Sequence, residues 1–246
     1  MYEILKKKFS QNFLIDKNIL NKISKLIHKK NLKIIEIGPG DGRLTDFILD
    51  LTPRDLKLIE IDKDLIPILK LKYSKNSKVK IFNKDILDYN IDEKIDLIVS
   101  NLPYNISSQI LVKICLLEHL PNRLILMFQK EFACRLLDKK LNSLNSLVNC
   151  FYEIEKNFQV SRNSFRPIPK IDSTVLLFVK RESSKLHINE IDNFILFKRY
   201  LFSHKRKKLN NLLKKYHFKK EEFNLNKRVE DICLEELLKI FREVNL

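Results

Sequence analysis

The sequence is poor in glycine, with three in 246 residues, whereas an average chain of this length has about seventeen. Gly38, Gly40 and Gly42 all lie in the segment IIEIGPGDGRLT, residues 34–45. Glycine adopts left-handed backbone conformations without strain and lets the backbone approach a ligand closely. This segment is therefore where we expect a tight turn or a ligand contact.

Clustered cysteines and long apolar runs are also missing from the sequence. Cys115, Cys134, Cys150 and Cys233 form no CxxC pair and have no histidine at zinc-finger spacing, so we expect free thiols in a reducing cytoplasm and no metal site. No apolar run approaches the roughly 20 residues that span a bilayer. Residues 1–13, MYEILKKKFSQNF, place charge where a signal peptide has its apolar core, which predicts a cytoplasmic protein without a membrane partner.

Positive charge dominates the composition. Forty-seven lysines and arginines against 31 acidic residues give a net charge of +16 and a pI near 9.6. Such an excess attracts polyanions, and nucleic acid is the first candidate. Lysine, asparagine, isoleucine and phenylalanine also have A/T-rich codons, so drift of an A/T-rich genome would produce the same bias. Charge alone leaves both explanations open.

Short apolar runs rich in β-branched residues alternate with helical patterns along most of the chain. Five runs predict buried strands at residues 32–38, 56–62, 79–83, 95–101 and 123–129. Strands that alternate with helices predict βαβ units and a parallel sheet. Two further runs, 155–162 and 173–181, follow one another without a helix and predict an antiparallel pair at the sheet edge.

The pattern changes near Glu182. From Asn189 onward the chain shows short amphipathic helices, such as IDNFILFKRYLFSH and EELLKIFREV, and no strand pattern. We therefore predict an α/β domain over residues 1–181 and a small all-helical domain over residues 182–246.

The glycine segment joins a predicted strand to a predicted helix, as nucleotide sites do in open α/β sheets. Its spacing is GxGxG, and Arg43 stands where the dinucleotide pattern GxGxxG has its third glycine, which disfavours NAD. Gly38 and Gly40 are the predicted ligand contacts, and Gly42 is assigned to the turn into the helix. A tight turn without a ligand is the alternative.

Two acidic residues follow successive strands beyond the glycine segment. Glu60 ends the second predicted strand and can accept hydrogen bonds from ribose hydroxyls. Asp85 ends the third and can accept from an adenine amino group. Together with the glycines they indicate an adenosine-containing cofactor without a pyrophosphate, and S-adenosylmethionine fits best.

The segment NLPYNISS, residues 101–108, lies at the carboxyl end of the fourth predicted strand, on the same rim. An exocyclic adenine nitrogen is a poor nucleophile, and acceptors for its N–H groups would activate it. The Asn101 side chain and the backbone carbonyl of Leu102 or Pro103 can serve, while Tyr104 offers a ring on which the base can stack. A structural Asn-Pro turn with a core tyrosine is the alternative.

These segments together resemble the ribosomal RNA adenine N6-dimethyltransferases, and most closely the bacterial small-subunit branch of that family. EIGPGDGRLT and NLPYNISS match its cofactor loop and catalytic motif, and FSQNFLID (9–16) is similar to its N-terminal signature, with Ser10 where glycine is usual. Further similar segments are FQKEFACRL (128–136), FRPIPKIDSTV (165–175) and HKRKKLNNLL (204–213). One departure is LDKKLNSLNSLVNC, which lacks the family's glycine-containing loop and tyrosine.

The resemblance implies a Rossmann-like class I methyltransferase fold, with a seven-stranded, mostly parallel sheet and a small C-terminal all-helical domain. It implies N6-dimethylation of two adjacent adenosines near the 3′ end of small-subunit ribosomal RNA, by a monomer that acts on a 30S assembly intermediate. The implied cofactor residues are Asn12, Leu14, Gly38, Glu60, Asp85 and Asn101. Phe165 is a candidate for the second face of a base sandwich.

Basic clusters at 6–8, 204–208, 214–215 and 219–220 can contact RNA phosphates, or form solvated helix faces. Within the second cluster we single out Lys205, Arg206, Lys207 and Lys208. Two alternative functions are a large-subunit rRNA adenine methyltransferase and a catalytically silent ribosome-assembly factor. The exact residues of the segments NLPYNISS and PKIDS (169–173), together with the helical tail, favour the small-subunit enzyme.

Overall fold

A computed structural model describes residues 12–217 and 222–244. The basic clusters at 6–8 and 219–220, and the first three residues of FSQNFLID, lie outside this range. The strands are Phe13–Leu14 (β1), Lys33–Ile37 (β2), Asp55–Glu60 (β3), Val79–Asn83 (β4), Leu97–Asn101 (β5), Arg123–Gln129 (β6), Tyr152–Val160 (β7), Phe165–Arg166 (β8) and Ser173–Lys180 (β9). The α-helices are Lys17–Lys25 (α1), Arg43–Leu49 (α2), Ile66–Tyr73 (α3), Ser107–Cys115 (α4), Lys130–Leu137 (α5), Asn145–Phe151 (α6), Ile191–Ser203 (α7), Leu209–Leu212 (α8) and Leu234–Glu243 (α9).

Seven strands form one sheet in the order β4-β3-β2-β5-β6-β9-β7. The first five in this order run parallel to their neighbours, and β9 is antiparallel to β6. The predicted Rossmann-like, mostly parallel sheet of seven strands is therefore confirmed. A second sheet, in which β1 pairs antiparallel with β8, has no counterpart in the sequence prediction.

The central strand β5 shows why continuous apolar runs become strands here. Leu97, Ile98 and Val99 point alternately to the two faces of the sheet, yet none is more than 2% exposed. Both faces must therefore be covered, as is typical of parallel sheets with helical crossovers. Each such side chain contributes about 1.5–3 kcal/mol by burial.

Strand register brings several strand ends to one edge of the sheet. Ile37, the last residue of β2, pairs with Ile59, and Glu60 at the end of β3 pairs with Asn83 at the end of β4. Asn101 ends β5. Because parallel strands place their carboxyl ends on the same side, the segments that follow these strands meet there.

The chain divides into two compact units. The first comprises the described residues up to Ala133 together with Glu153–Lys180, and it contains almost the whole sheet. The second comprises Cys134–Tyr152 and the described residues from Arg181 onward. Backbone hydrogen bonds of 2.9 Å from Arg181 to Phe151 and from Lys185 to Cys150 join the two segments of the second unit.

Aromatic side chains form the core of the second unit. The ring of Phe241 on α9 lies 5.2 Å from that of Phe194 and 5.6 Å from that of Phe197, both on α7. All three side chains are at most 6% exposed. These aromatic contacts stabilise the packing of α9 against α7.

Two asparagines close the loop that precedes α6, where the family resemblance leads one to expect a glycine. Asn142 Oδ1 accepts hydrogen bonds from the amides of Leu144 and Asn145, at 3.0 and 2.9 Å. Asn145 is fully buried, and its Nδ2 donates to the carbonyls of Asp138 and Lys140. Side-chain amides thus satisfy backbone groups in a turn that contains no glycine.

Candidate active site

The glycine turn forms one wall of an open pocket at the carboxyl edge of the sheet. Gly38 has φ +66°, and its amide donates a 2.9 Å hydrogen bond to the carbonyl of Ile59. A Cβ atom on Gly38 would meet no atom within 4 Å, whereas one on Gly40 would lie 2.7 Å from the ring of Phe13. Gly38 therefore leaves open space for a ligand at the backbone, and Gly40 leaves room for an aromatic side chain.

Glu60 holds the glycine turn from the end of β3. Its Oε2 accepts a hydrogen bond of 3.1 Å from the Gly40 amide, and its Oε1 accepts one of 2.9 Å from the Asp62 amide. Burial raises the pKa of Glu60, against the opposing effect of these amides. Because a carboxylate has about four lone-pair positions, Glu60 can also accept hydrogen bonds from two hydroxyls of a ligand.

Asp85 lies two residues beyond β4 and lines the same pocket. Its Oδ1 accepts a hydrogen bond of 2.8 Å from the Leu87 amide, and its carbonyl accepts from the amides of Asp88 and Tyr89. These bonds are typical of an Asx turn. They fix the carboxylate at the pocket wall without any cation at hydrogen-bonding distance among the described residues.

Asn101 brings an unsatisfied polar atom to the pocket. Its Nδ2 donates a 3.0 Å hydrogen bond to the carbonyl of Asn12. Its Oδ1 is buried and has no hydrogen-bond partner in the described part of the chain. A buried acceptor without a donor costs about 1–3 kcal/mol, so an amino group that enters this pocket would find an acceptor already desolvated and positioned.

The backbone after Asn101 turns sharply through a short 3₁₀ helix, Tyr104–Ile106. The carbonyl of Pro103 accepts hydrogen bonds from the Ile106 amide at 3.3 Å and the Ser107 hydroxyl at 3.1 Å. Of the two carbonyls considered from sequence, that of Leu102 is therefore the one left outside this turn. It follows Asn101 directly and can act with the Asn101 side chain on one amino group.

Tyr104 lines the pocket and is held by its hydroxyl. The hydroxyl lies 2.9 Å from the Ser173 hydroxyl, at the start of β9. Burial raises the pKa of Tyr104, so the phenol stays neutral. The ring is thus a fixed, uncharged aromatic surface on which a base can stack.

The N-terminal wall of the pocket depends on the small second sheet. Leu14 pairs with Phe165, and the Ile15 amide donates a 2.8 Å hydrogen bond to the Ser164 carbonyl. Asp16 caps α1 by accepting from two amides, and its Oδ2 also accepts from the Ser164 hydroxyl at 3.1 Å. These contacts hold Asn12 and Leu14 against the sheet edge.

One pocket brings together every residue predicted from sequence for cofactor binding and catalysis. It has about 990 Å³ of non-atom space, its open mouth included. The predicted residues that line it are Asn12, Leu14, Gly38, Gly40, Glu60, Asp85, Asn101, Leu102, Pro103 and Tyr104. The open space at Gly38 fits a bound adenosine cofactor, and the unpaired acceptor of Asn101 fits a base amino group.

The predicted RNA-contact residues lie elsewhere. Phe165 is fully buried in the core of the first unit and does not line the pocket, so it presents no face to a base in this conformation. The basic residues Lys205, Arg206, Lys207 and Lys208 are exposed in the second unit, between α7 and α8. They form no ion pair with any residue the structure describes.

Glu36 is an ionisable residue inside β2 that also lines the pocket and was not predicted from the sequence. It is 2% exposed, and its Oε2 accepts a 2.6 Å hydrogen bond from the Thr45 hydroxyl on α2. Burial raises the pKa of Glu36 to about 8. A glutamate in the middle of an apolar strand, IIEIG, is the signal that could have identified it.

Ile61 is a second missed residue. It follows Glu60 directly, lines the pocket and is 42% exposed, which is unusual for a large aliphatic residue. It offers an apolar surface to the pocket next to the Glu60 carboxylate. No group of three His, Cys, Asp or Glu residues is placed to hold a metal ion within residues 12–217 and 222–244, and no helix in that part of the chain is long and apolar enough to cross a membrane.

Comparison with solved structures supports the fold. A dimethyladenosine transferase from Plasmodium falciparum superimposes with a TM-score of 0.80 at 27% identity, over 93% of this chain and 95% of that one. The 23S rRNA methyltransferase ErmE gives a TM-score of 0.75 over 95% and 100% of the two chains. Its identity is 24%, so this second likeness concerns the fold alone.

Comparison with known sequences identifies the family. The sequence pattern described as "Ribosomal RNA adenine dimethylase" matches residues 3–246. Ribosomal RNA small subunit methyltransferase A of Mycoplasma mycoides is 36% identical, over 97% of both chains. The protein of the same name from Hydrogenobaculum is 36% identical, over 98% of this chain and 93% of its own. With a methyltransferase fold and a pocket that unites the cofactor and catalytic motifs, the chain belongs to the ribosomal RNA adenine dimethylase family.

Proposed function

We propose that this protein transfers methyl groups from S-adenosylmethionine to N6 of two adjacent adenosines near the 3′ end of small-subunit (16S) ribosomal RNA. The product is N6-dimethyladenosine, formed during biogenesis of the 30S subunit. The observation that carries the proposal is the buried, unpaired Oδ1 of Asn101 in the same pocket as Glu60. An acceptor for an amino group thus lies beside a carboxylate suited to ribose.

The cofactor half of the pocket is assigned to the glycine turn and the acids. S-adenosylmethionine supplies an electrophilic methyl group on a sulfonium. The open space at Gly38 admits the cofactor against the backbone, and Glu60 accepts hydrogen bonds from its ribose hydroxyls. Asp85 accepts from the adenine amino group, while Ile61 and Ile86 supply apolar contact to the adenine ring.

The target adenine is assigned to the NLPY segment. The base leaves its stack, as chemistry on a nucleobase requires, and rests on Tyr104. Asn101 Oδ1 and the Leu102 carbonyl accept hydrogen bonds from N6, which restrain the amino group and favour tetrahedral geometry at nitrogen. The C–N bond would form as the bond between the sulfonium sulfur and the methyl carbon breaks, which leaves S-adenosylhomocysteine as a neutral thioether. The amino group would lose one proton to solvent for each methyl gained, because both acceptors are neutral. Catalysis is then mainly placement and electrostatics.

The second unit is assigned to RNA binding. Lys205, Arg206, Lys207 and Lys208 are exposed and have no described ion-pair partner, so they are available to phosphates. With Phe165 buried, stacking of the target base falls to Tyr104 alone. We further propose that the protein acts as a monomer in the cytoplasm on a 30S assembly intermediate, with residues 1–181 as the methyltransferase domain and 182–246 as the RNA-binding domain. The second unit adds Cys134–Tyr152 to the RNA-binding domain.

The names of the curated relatives favour small-subunit RNA over large-subunit RNA as the proposed substrate. Curated relatives at 34–39% identity are named for the small subunit, whereas the likeness to ErmE lies below 25% identity. An assembly factor without activity is disfavoured because Asn101, Tyr104, Glu60 and Asp85 meet in one pocket.

The test is methyl transfer from labelled S-adenosylmethionine to unmethylated 30S subunits and, separately, to unmethylated 23S RNA, followed by nucleoside analysis. We expect dimethyladenosine in the 30S sample and none in the 23S sample. The Asn101→Ala variant serves as the inactive control. Label only in 23S RNA would refute the substrate assignment, and no label in either RNA would refute the enzymatic assignment.

A further inference from the structure

Gly42 is the one glycine of the cluster that does not line the pocket. It is the N-cap of α2, with φ +82°. A Cβ atom at this position would collide with the Tyr73 hydroxyl and lie 3.0 Å from Tyr73 Cε2. The rear of the cofactor turn is therefore packed directly against the last residue of α3.

Tyr73 and its neighbour Lys72 both hydrogen-bond to the Gly42 carbonyl and to the Asp46 carboxylate. The Tyr73 hydroxyl lies 2.7 Å from the Gly42 carbonyl and 2.8 Å from Asp46 Oδ1, and its single proton serves one of them at a time. Lys72 Nζ donates to the Gly42 carbonyl at 3.1 Å and to Asp46 Oδ2 at 2.6 Å. A third contact, of 3.4 Å, joins Lys72 Nζ to the Asp41 carbonyl.

The two residues differ in environment. Tyr73 is 6% exposed, and burial raises the pKa of its hydroxyl, so the hydroxyl stays protonated at neutral pH. Lys72 keeps about a third of its side chain exposed, and an exposed ion pair with Asp46 adds little. Tyr73 is therefore expected to contribute more than Lys72 to holding the Gly42 carbonyl in place.

Gly42 is connected to the pocket lining through a short stretch of backbone, residues 38–41. The Gly42 amide donates a 2.9 Å hydrogen bond to the carbonyl of Pro39, while the Gly40 amide is held on the other side by Glu60 at 3.1 Å. Residues 38–41 of this turn all line the pocket. Their conformation is thus fixed at one end by a carboxylate and at the other by α3.

We infer that Tyr73 is a positioning residue for the cofactor: with Lys72 it fixes the Gly42 carbonyl and thereby holds residues 38–41 in the shape that receives S-adenosylmethionine. The inference rests on the proposed function, because it concerns how the pocket takes that cofactor. It adds a residue outside the pocket, on α3, none of whose residues lines the pocket.

The test compares Tyr73→Phe with Tyr89→Phe. Each substitution removes one hydroxyl from a largely buried ring, since Tyr89 is 8% exposed, but the Tyr89 hydroxyl lies 3.4 Å from Lys57 Nζ and away from the pocket lining. Calorimetry measures the Kd for S-adenosylhomocysteine, and filter binding measures RNA affinity. For Tyr73→Phe we expect a three- to tenfold weaker Kd, the range for one net hydrogen bond, with the KM for S-adenosylmethionine raised in proportion. RNA affinity and kcat should stay within twofold, and Tyr89→Phe should match the wild type.

Other outcomes are equally decisive. A lower melting temperature for Tyr73→Phe with an unchanged Kd would show a purely structural role and overturn the inference. Lys72→Met, on the surface, guards against a folding defect and should weaken the Kd about twofold. If neither variant changes the Kd, the inference is wrong while the proposed function stands. If the wild type itself binds no S-adenosylhomocysteine, the proposed function fails, and the inference with it.

Discussion

Replacing Asn101 with alanine should separate activity from stability. In the structure the Asn101 side chain donates one hydrogen bond, from Nδ2 to the Asn12 carbonyl, and leaves Oδ1 buried and unpaired among the described residues. Losing the hydrogen bond costs about 0.5–1.5 kcal/mol, and removing the unpaired acceptor returns about 1–3 kcal/mol. The net effect on the free energy of unfolding should lie between a loss of about 0.5 and a gain of about 2.5 kcal/mol.

The same substitution should abolish most of the methyl transfer. Oδ1 is assigned to hold the N6 amino group as it becomes the nucleophile, and loss of one positioned group of this kind lowers kcat by about 10²–10³. RNA affinity should remain within a few fold, because the phosphate contacts are assigned to the basic residues at 205–208. The variant is therefore expected to be inactive and as stable as the wild type, or more so.

The assay combines single-turnover methyl transfer with urea denaturation and calorimetry. For a chain of this size, each kcal/mol changes the melting temperature by about 2–4 °C. Asn83→Ala is the comparison variant for stability, since Asn83 also ends a strand and its Nδ2 donates to the carbonyls of Glu60 at 2.9 Å and Ile61 at 3.2 Å. It should lose about 1–3 kcal/mol, about 0.5–1.5 for each hydrogen bond. A loss above about 2 kcal/mol for Asn101→Ala would mean that Oδ1 is satisfied in the folded protein, and surviving methyl transfer would refute the mechanism.

Three further predictions concern the turn, a buried acid and the basic run. Gly38→Ala should weaken the affinity for S-adenosylhomocysteine at least tenfold by calorimetry, because its Cβ enters the pocket at a left-handed φ, which costs about 1–2 kcal/mol. Gly40→Ala should lower the melting temperature more than Gly38→Ala, because its Cβ also meets the ring of Phe13; equal losses would contradict this packing. The pKa of Glu36 is raised to about 8 in the folded protein from an ordinary value near 4.5, so the folded state favours the protonated carboxyl. The stability that this contributes is fully present below pH 4.5 and is lost as the pH rises through 8. Glu36→Gln should therefore exceed the wild type in urea stability at pH 8 by at least about 1 kcal/mol, with the difference vanishing near pH 4.5, and a constant difference would refute the assignment. Alanine at all four basic positions 205–208 should reduce the slope of log K for RNA against log salt by up to about 3 without changing the affinity for S-adenosylhomocysteine; an unchanged slope would place the phosphate contacts elsewhere.

The sheet was largely predictable from the sequence because its strands are local signals. The predicted runs at 79–83 and 123–129 have the bounds that the structure gives. The second is a continuous apolar stretch between Arg123 and Gln129, and the first is a short run of β-branched and aromatic residues that Lys80 interrupts. The β1–β8 sheet was not predictable, because two-residue strands have no periodicity and exist only through pairing across 150 residues of chain.

The site was predictable where one residue type has one chemical use. Glu60 and Asp85 were found because an acid at a strand end suits a nucleoside, and the pocket does contain both. The wall behind the turn could not be found in this way. The proximity of Tyr73 to Gly42 follows from how α3 packs on the sheet, and no spacing in the sequence encodes that distance.

The pairing of β1 with β8 also bears on the order in which the protein is made. The Asn12 carbonyl, which accepts a hydrogen bond from Asn101 Nδ2, directly precedes β1, and β1 pairs with Phe165 and Arg166 of β8. A ribosome synthesises the glycine turn, Glu60, Asp85 and Asn101 well before it reaches Phe165. The nascent chain can therefore assemble most of the pocket wall, but it lacks the pairing that completes this wall until about two thirds of the protein has emerged. Cofactor binding would then report that the first unit has finished folding.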